Sequence, residues 1–265
     1  MPENSERKPL EPELEPRARD ERSSLLLTEL TPRHVWTDCA CLGVTYILML
    51  HVPKPEWLIR LLVPWDNWLD MWIFGRALEL GLVLCAAIVL MRWRGLGLQA
   101  IGLDLRDWLK QVQWGIVGGV VGWAALLAAL LLLTRSDYSL SWRSASQSAQ
   151  PGTSLVASMA AEGVGRTLLY FVIGACLEEL FMRGLLYTRV RRLVGNWGLA
   201  NVICACAFAY GHHTAGLPYA GSQFVYSLVM GGLFVHSRSL LVVVLAHFVT
   251  NTLQLVLWAC GVSFA

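Results

Sequence analysis

The chain has 265 residues, of which 55% are hydrophobic and only 15% are charged, and its formal net charge is +2. A soluble globular domain has about 45–50% apolar and about 25% charged residues, so this composition indicates a protein that crosses a membrane several times. The small net charge gives no sign of a surface for nucleic acid, which is therefore not an expected partner.

The N-terminal segment differs in composition from the rest of the chain. Residues 1–33 are rich in Pro, Glu, Arg and Ser, and they contain too little apolar area to offset the entropy cost of ordering. We predict a disordered cytoplasmic tail over residues 1–33, without a cleavable signal peptide, and a single membrane domain over residues 34–265.

About seven apolar segments follow the tail, and a transmembrane helix needs about 20 residues of this kind. The predicted spans are, in chain order, residues 36–52, 71–91, 112–134, 163–187, 197–212, 223–236 and 239–260. The predicted fold class is therefore all-α, a polytopic transmembrane helical bundle. The polar, Ser-rich stretch over 135–162 is predicted to be a loop outside the membrane.

Basic residues alternate between the predicted loops. Lys and Arg are frequent in the tail, before the third span and after the fourth span, and they are rare in the intervening connections. Since cytoplasmic loops carry an excess of Lys and Arg, the pattern predicts an N-terminus in the cytoplasm. We expect an integral protein of a bacterial inner membrane, with the lipid bilayer as its surroundings.

Two local patterns predict contacts made by the second and third spans. Arg76 and Glu79 lie three residues apart on one helix face, so they can neutralise each other. The pairs Gly115/Gly119 and Gly118/Gly122 would let another helix approach the third span closely.

The fourth span contains an unusual polar motif, CLEELFMRG, over residues 176–184. A charge near the centre of a bilayer costs at least about 2.5–3.5 kcal/mol, so three of them require an explanation. Glu179 and Arg183 are four residues apart and can pair on one helix face. Glu178 is rotated by about 100° from Glu179 and is left without such a partner. One interpretation is a structural Glu179–Arg183 pair with Glu178 available for chemistry. The alternatives are that all three residues form one structural ion network or line a transport path.

Two further polar groups lie on later spans. Phe208 and His212 share a face at the end of the fifth span, and His247, Asn251 and Gln254 form a stripe on the uncharged seventh span. Polar residues within a membrane face the interior of the bundle or a water-filled cavity, so these groups are expected to converge with Glu178.

The residue types allow two kinds of chemistry. A Glu that deprotonates water, a His that orients it and an Asn that holds a developing oxyanion would make a hydrolase. A Glu and two His would also make a zinc triad with an open fourth position. The pattern of residues by itself does not separate these two possibilities.

The order EExxxR, FxxxH and HxxxN on successive membrane helices resembles the CAAX protease and bacteriocin-processing family of intramembrane endopeptidases. The resemblance extends over roughly residues 71–261, with the motifs in 163–261, and it includes the connection LGLQAIGLDLRDWLKQ before the third span. It implies a helical membrane protease domain with its active site in a membrane cavity.

The resemblance also implies roles for individual residues. The catalytic glutamate falls on Glu178, and the two functional histidines fall on His212 and His247. Asn251 falls on the position that stabilises the oxyanion, while Glu179 and Arg183 complete the first motif as structural support. The family reading that we follow is a glutamate-activated water without a cofactor, with zinc as the alternative.

The expected activity is hydrolysis of a peptide bond in a membrane-anchored protein or peptide. The family includes enzymes that trim C-terminal sorting tails, sometimes called myxosortases, and enzymes that mature peptides, and we expect a role of this type. Two alternatives are a non-catalytic family member that acts as a scaffold or immunity protein, and a proton-coupled membrane transporter.

Overall fold

The computed structural model describes residues 30–51, 68–134 and 163–260, and all regular elements in these ranges are helical. The helices are α1 (Pro32–His51), α2 (Trp68–Trp93), α3 (Trp108–Thr134), α4 (Val164–Glu179), α5 (Thr188–Val194), α6 (Trp197–Gly211), α7 (Leu217–Ser237) and α8 (Leu240–Ala259). A π-helical segment, Leu180–Tyr187, joins α4 to α5 without a break. The prediction of an all-α helical bundle is confirmed.

Three of the described helices are long and apolar enough to cross a membrane on their own. They cover Trp72–Trp93, Trp108–Thr134 and Leu240–Leu257. These correspond to the second, third and seventh predicted spans. The predicted tail, apart from residues 30–33, and the predicted Ser-rich loop, residues 135–162, lie outside the described residues.

Two helical segments extend well beyond the predicted spans. Helix α7 begins at Leu217, six residues before the predicted span, and Pro218 occupies its first turn. Pro fits there because the N–H groups of the first turn have no partner within the helix. The fourth predicted span continues through the π-helical segment into α5, which ends where Gly195 adopts a left-handed conformation with φ of 71°.

The glycines of α3 bring this helix close to α7 and α8. A Cβ on Gly119 would lie 2.6 Å from Cβ of Val249 and 2.7 Å from the carbonyl oxygen of Ala246. The close approach lets the Thr250 hydroxyl donate a hydrogen bond to the Gly119 carbonyl at 3.0 Å. The predicted glycine face therefore packs within the chain, behind the helix that carries His247.

An ion cluster attaches α1 to the rest of the bundle at one end. Asp38, which is 1% exposed, accepts a hydrogen bond of 2.7 Å from Arg94 at the end of α2. Nε of Arg189, on α5, lies 3.9 Å from the other oxygen of Asp38. The start of α1, the end of α2 and α5 therefore lie at the same end of the bundle.

The start of α6 and the connection between α7 and α8 lie at this basic end as well, because two arginines pack against the ring of Trp197. The guanidinium of Arg191 lies 4.8 Å from the ring centroid of Trp197, and that of Arg238 lies 4.1 Å from it. Helix α6 starts here with Asn196 as its N-cap, which accepts a hydrogen bond from the backbone N–H of Leu199.

Candidate active site

The change from α-helix to π-helix occurs directly after the two adjacent glutamates. Glu179 is the last residue of α4 and Leu180 is the first of the π-helical segment. π-Helical turns are rare, and they are frequent at functional sites. The two carboxylates differ in environment, because the side chain of Glu178 is 26% exposed and that of Glu179 is fully buried.

Glu179 forms the predicted ion pair with Arg183. Nη1 of Arg183 donates to Oε1 of Glu179 at 3.1 Å, and both side chains are almost completely buried. Nη2 of Arg183 donates to the hydroxyl of Ser227 at 2.8 Å and to its carbonyl at 3.3 Å, which ties the pair to α7. The guanidinium is therefore compensated by one charge and by further hydrogen bonds, as a buried cation requires.

His247 contacts both glutamates. Its Nδ1 lies 2.8 Å from Oε1 of Glu179, and its Nε2 lies 4.0 Å from Oε2 of Glu178. A carboxylate accepts hydrogen bonds, so Nδ1 carries a proton and donates it to Glu179. Nε2 is then the nitrogen that faces Glu178. Sequence reasoning missed this second role of Glu179, because residues 179 and 247 are far apart in the chain and no spacing rule connects them.

His212 is oriented by its own helix. Its Nδ1 lies 2.9 Å from the carbonyl oxygen of Phe208, one turn earlier on α6. Since a carbonyl only accepts, Nδ1 is again the donor and Nε2 is the nitrogen left to face the interior. The ring centroids of Phe208 and His212 lie 4.7 Å apart, and this contact restrains the imidazole. The predicted shared face of these two residues is present in the structure.

One cavity of about 280 Å³ brings the candidate residues together. Glu178 from α4, His212 from α6 and His247, Asn251 and Gln254 from α8 all line it. Sequence analysis predicted that these helices converge through their polar residues, and the structure agrees. Glu179 and Arg183 are absent from the wall of the cavity and lie behind it, where a structural pair is expected.

The cavity also has lining residues that the motifs did not predict. Arg76, Tyr170, Gln223, Tyr226 and Thr250 contribute polar groups to its wall. Arg76 makes the predicted pair with Glu79, at 3.1 Å, and it reaches the cavity as well. No pattern in the sequence could have placed Arg76 beside Glu178, since this depends on how α2 packs against α4.

The residues that would form a zinc triad are Glu178, His212 and His247. Their donor atoms are of the right types for zinc, and the Nε2 atoms of both histidines are available. Within residues 30–51, 68–134 and 163–260, however, no group of three or more His, Cys, Asp or Glu side chains is arranged to hold a metal ion.

An all-helical membrane bundle with a glutamate, two histidines and an asparagine around one cavity has the groups that an intramembrane hydrolase requires. Comparison with known families agrees with this class. Residues 160–253 match the family model described as Type II CAAX prenyl endopeptidase Rce1-like. The predicted resemblance to the CAAX protease family is thereby confirmed for this part of the chain, and the match supports an intramembrane protease.

The matched segment contains all six residues to which the resemblance assigns a role, Glu178, Glu179, Arg183, His212, His247 and Asn251. It does not include α1, α2 or α3. A search of curated proteins and a search of solved structures found no match to the chain.

Proposed function

We propose that this protein is an intramembrane endopeptidase that hydrolyses a peptide bond of a membrane-associated protein or peptide, with Glu178 activating the attacking water. The main support for the proposal is that polar residues from three separate helices line one cavity. These residues are Glu178, His212, His247 and Asn251. This convergence lies within the segment that matches a protease family.

Glu178 is the general base of the proposed reaction. The separation of 4.0 Å between its Oε2 and Nε2 of His247 is too long for a direct hydrogen bond, and a water molecule between the two can bond to both. Glu178 takes a proton from this water while the water oxygen attacks the carbonyl carbon of the substrate. When the C–N bond of the tetrahedral intermediate breaks, the proton passes to the leaving nitrogen.

The remaining residues support this reaction in separate ways. Glu179 fixes the tautomer of His247 through the hydrogen bond of 2.8 Å to Nδ1, so that Nε2 stays directed at Glu178. Asn251 lies one turn beyond His247, and its amide can donate a hydrogen bond to the developing oxyanion without carrying charge. His212 lines the same cavity and offers Nε2 for a second contact with water or substrate.

The proposed reaction needs no cofactor. Glu178, His212 and His247 are the ligands that the zinc alternative would use, and in that case one ion would have to lie about 2.0–2.2 Å from all three side chains. Removal of metal ions from the purified protein separates the two mechanisms.

We propose that the chain lies in a bacterial inner membrane with its N-terminus in the cytoplasm. Arg94, Arg189, Arg191 and Arg238 gather at one end of the bundle, which supports a cytoplasmic location for that end. His212 lies at the opposite end of α6, so the cavity is directed away from the basic end. Alkaline phosphatase fused after residue 265 should then be active, because this enzyme is active only outside the cytoplasm. An inactive fusion would place that end of the chain in the cytoplasm and contradict the proposed orientation.

A site on the non-cytoplasmic side suits substrates that are being exported. We therefore propose that the reaction trims a C-terminal sorting tail or matures a secreted peptide. The test is comparative mass spectrometry of protein C-termini in membranes and medium, with cells that lack the protein, contain it or contain Glu178→Gln. We expect shortened C-termini only with the wild-type chain. Identical C-termini in all three would instead favour a non-catalytic scaffold or immunity role.

A further inference from the structure

Arg76 is a charged residue of the cavity that the proposed reaction does not use. It comes from α2, outside the segment that matches the protease family. Its side chain is 26% exposed and lines the cavity together with Glu178. A cation within a membrane bundle is costly and commonly marks a pathway or a binding site for substrate.

The guanidinium of Arg76 has donors left over. Nη1 donates to Oε2 of Glu79 at 3.1 Å, and the buried Nε–H has no acceptor among the residues that the structure describes. A guanidinium has five N–H donors in a planar fork, and a buried donor without an acceptor costs about 1–3 kcal/mol. Tyr170 accepts a further hydrogen bond from the guanidinium, and the carboxylate of Glu178 attracts it across the cavity. These contacts and the pair with Glu79 still use only part of the five donors of Arg76.

Two contacts establish how α2 lies along α4. Nε of Arg166 is 3.5 Å from Oδ1 of Asp70, and the rings of Trp72 and Tyr170 are 6.4 Å apart. Residue numbers increase together on the two helices, so α2 and α4 run in the same direction at this contact.

This direction places Arg76 level with Gly174, since each lies four residues beyond the Trp72–Tyr170 contact. Gly174 also lines the cavity, and apart from its own helix no atom of the described residues lies within 4 Å of the position that a Cβ would occupy there. Glu178 lies four residues further along α4, about 6 Å along the axis at about 1.5 Å per residue. The space beside Arg76 is thus open and is separated from Glu178 by about two residues of extended peptide, at about 3.3 Å each.

We propose that Arg76 binds a carboxylate of the substrate, about two residues from the peptide bond that is cleaved. This inference rests on the proposed function. A carboxylate is the group that matches the planar fork of a guanidinium best. The guanidinium of Arg183 cannot take this role, because it lies behind the cavity wall in its pair with Glu179.

The carboxylate can come from two sources. One is the free C-terminus of the substrate, and the other is an Asp or Glu side chain close to the cleaved bond. Both present the same group to Arg76, and peptides with a C-terminal carboxamide or with Asn and Gln in place of Asp and Glu distinguish them.

The experiment uses the purified full-length protein in detergent micelles and a mixed peptide library. Each library peptide is present in four forms, which combine a C-terminal carboxylate or carboxamide with acidic or amide side chains. Mass spectrometry measures the cleavage of all four forms by the wild-type chain, by Arg76→Gln and by Arg166→Gln. Arg166→Gln is the matched control, because it removes an arginine from an exposed ion pair. Glu178→Gln reports whether cleavage depends on the proposed active site.

The readout is the ratio of kcat/KM between the carboxylate and the neutral form of the same peptide. Loss of a hydrogen bond to a charged group predicts a ratio of about 10 to 100 for the wild-type chain and for Arg166→Gln. Arg76→Gln should bring the ratio close to one, and Arg76→Lys should leave an intermediate ratio because it keeps the charge without the fork.

The possible failures are distinguishable. Cleavage that persists in Glu178→Gln, or that is absent from the wild-type chain, contradicts the proposed function and this inference with it. A wild-type ratio near one, or a ratio that Arg76→Gln leaves unchanged, overturns the inference about Arg76 alone. A ratio does not depend on the amount of folded protein, and if Arg76→Gln does not fold, the charge-conserving Arg76→Lys supplies the test, because an unchanged ratio in that variant overturns the inference.

Discussion

Replacing Arg183 with Ala tests whether the buried ion pair behind the cavity is structural. The guanidinium of Arg183 holds Glu179 at 3.1 Å and the hydroxyl of Ser227 at 2.8 Å, and it lies 5.1 Å from the ring centroid of Phe208. In Arg183→Ala, the carboxylate of Glu179 would remain buried with His247 as its only partner among the described residues. Breaking a buried pair in this way costs about 3–5 kcal/mol.

The free energy of unfolding in detergent micelles is the quantity to measure, by denaturant titration followed by tryptophan fluorescence. We expect Arg183→Ala to lower it by about 3–5 kcal/mol. Arg166→Ala is the matched control, because its pair with Asp70 has an Arg side chain that is 49% exposed. Exposed pairs contribute about 0–1 kcal/mol, so this control should unfold nearly as the wild-type chain does.

A double-mutant cycle separates the pair from the packing of its side chains. Glu179→Leu combined with Arg183→Met removes both charges, and replacing a whole buried pair by apolar residues is often neutral or stabilising. The double variant should therefore be more stable than either Glu179→Leu or Arg183→Met alone, and these variants with the wild-type chain complete the cycle. An Arg183→Ala protein that unfolds like the wild-type chain but does not cleave would refute this reasoning, because Arg183 would then act in the chemistry itself.

Three further predictions concern the oxyanion, the metal and the helix packing. Asn251→Ala should lower kcat by about 10²–10³ in single-turnover cleavage, with KM little changed, because the developing oxyanion loses a hydrogen-bond donor. A normal kcat together with a lower melting temperature would show that Asn251 is purely structural. Dialysis against a strong chelator should leave cleavage unchanged, and activity lost on zinc removal and restored by zinc would overturn the metal-free mechanism. Gly119→Ala should destabilise the fold by about 1–3 kcal/mol in denaturant titrations, because its Cβ meets Val249 at 2.6 Å. Gly43→Ala is the control for this variant and should not be destabilised, because a Cβ there meets no atom within 4 Å from the rest of the described residues.

Much of the helical fold could be predicted from the sequence, because long apolar runs leave the backbone only one way to satisfy its hydrogen bonds in a membrane. The third span, predicted over 112–134, is found in Trp108–Thr134, and the seventh, predicted over 239–260, is found in Leu240–Ala259. The start of α7 was missed, because Pro218 and Gly221 look like loop residues unless the first turn of a helix is known to lie there.

The local part of the site was also predictable. Glu179 and Arg183 pair through a spacing of four residues, and the same spacing places His247 and Asn251 on the wall of one cavity. A helix period gives such relations directly, whatever the surrounding fold is.

The contacts between distant helices could not be predicted. The hydrogen bond between Glu179 and His247 joins α4 to α8, and the position of Arg76 in the cavity depends on the direction of α2 relative to α4. The spacing of three residues correctly predicts the pair of Arg76 with Glu79, and it gives no sign of a further role for Arg76. Packing between helices decides such contacts, and residue spacing within one helix carries no information about them.

The most direct test of the proposed function is single-turnover cleavage by the purified Glu178→Gln protein. Gln has nearly the shape of Glu but cannot accept the proton of the attacking water, so the variant should fold and bind peptide as the wild-type chain does. With a peptide that the wild-type chain cleaves, we expect no product above the uncatalysed background, together with an unchanged thermal melt. Product formation at the wild-type rate by folded Glu178→Gln would contradict the assignment of Glu178 as the general base.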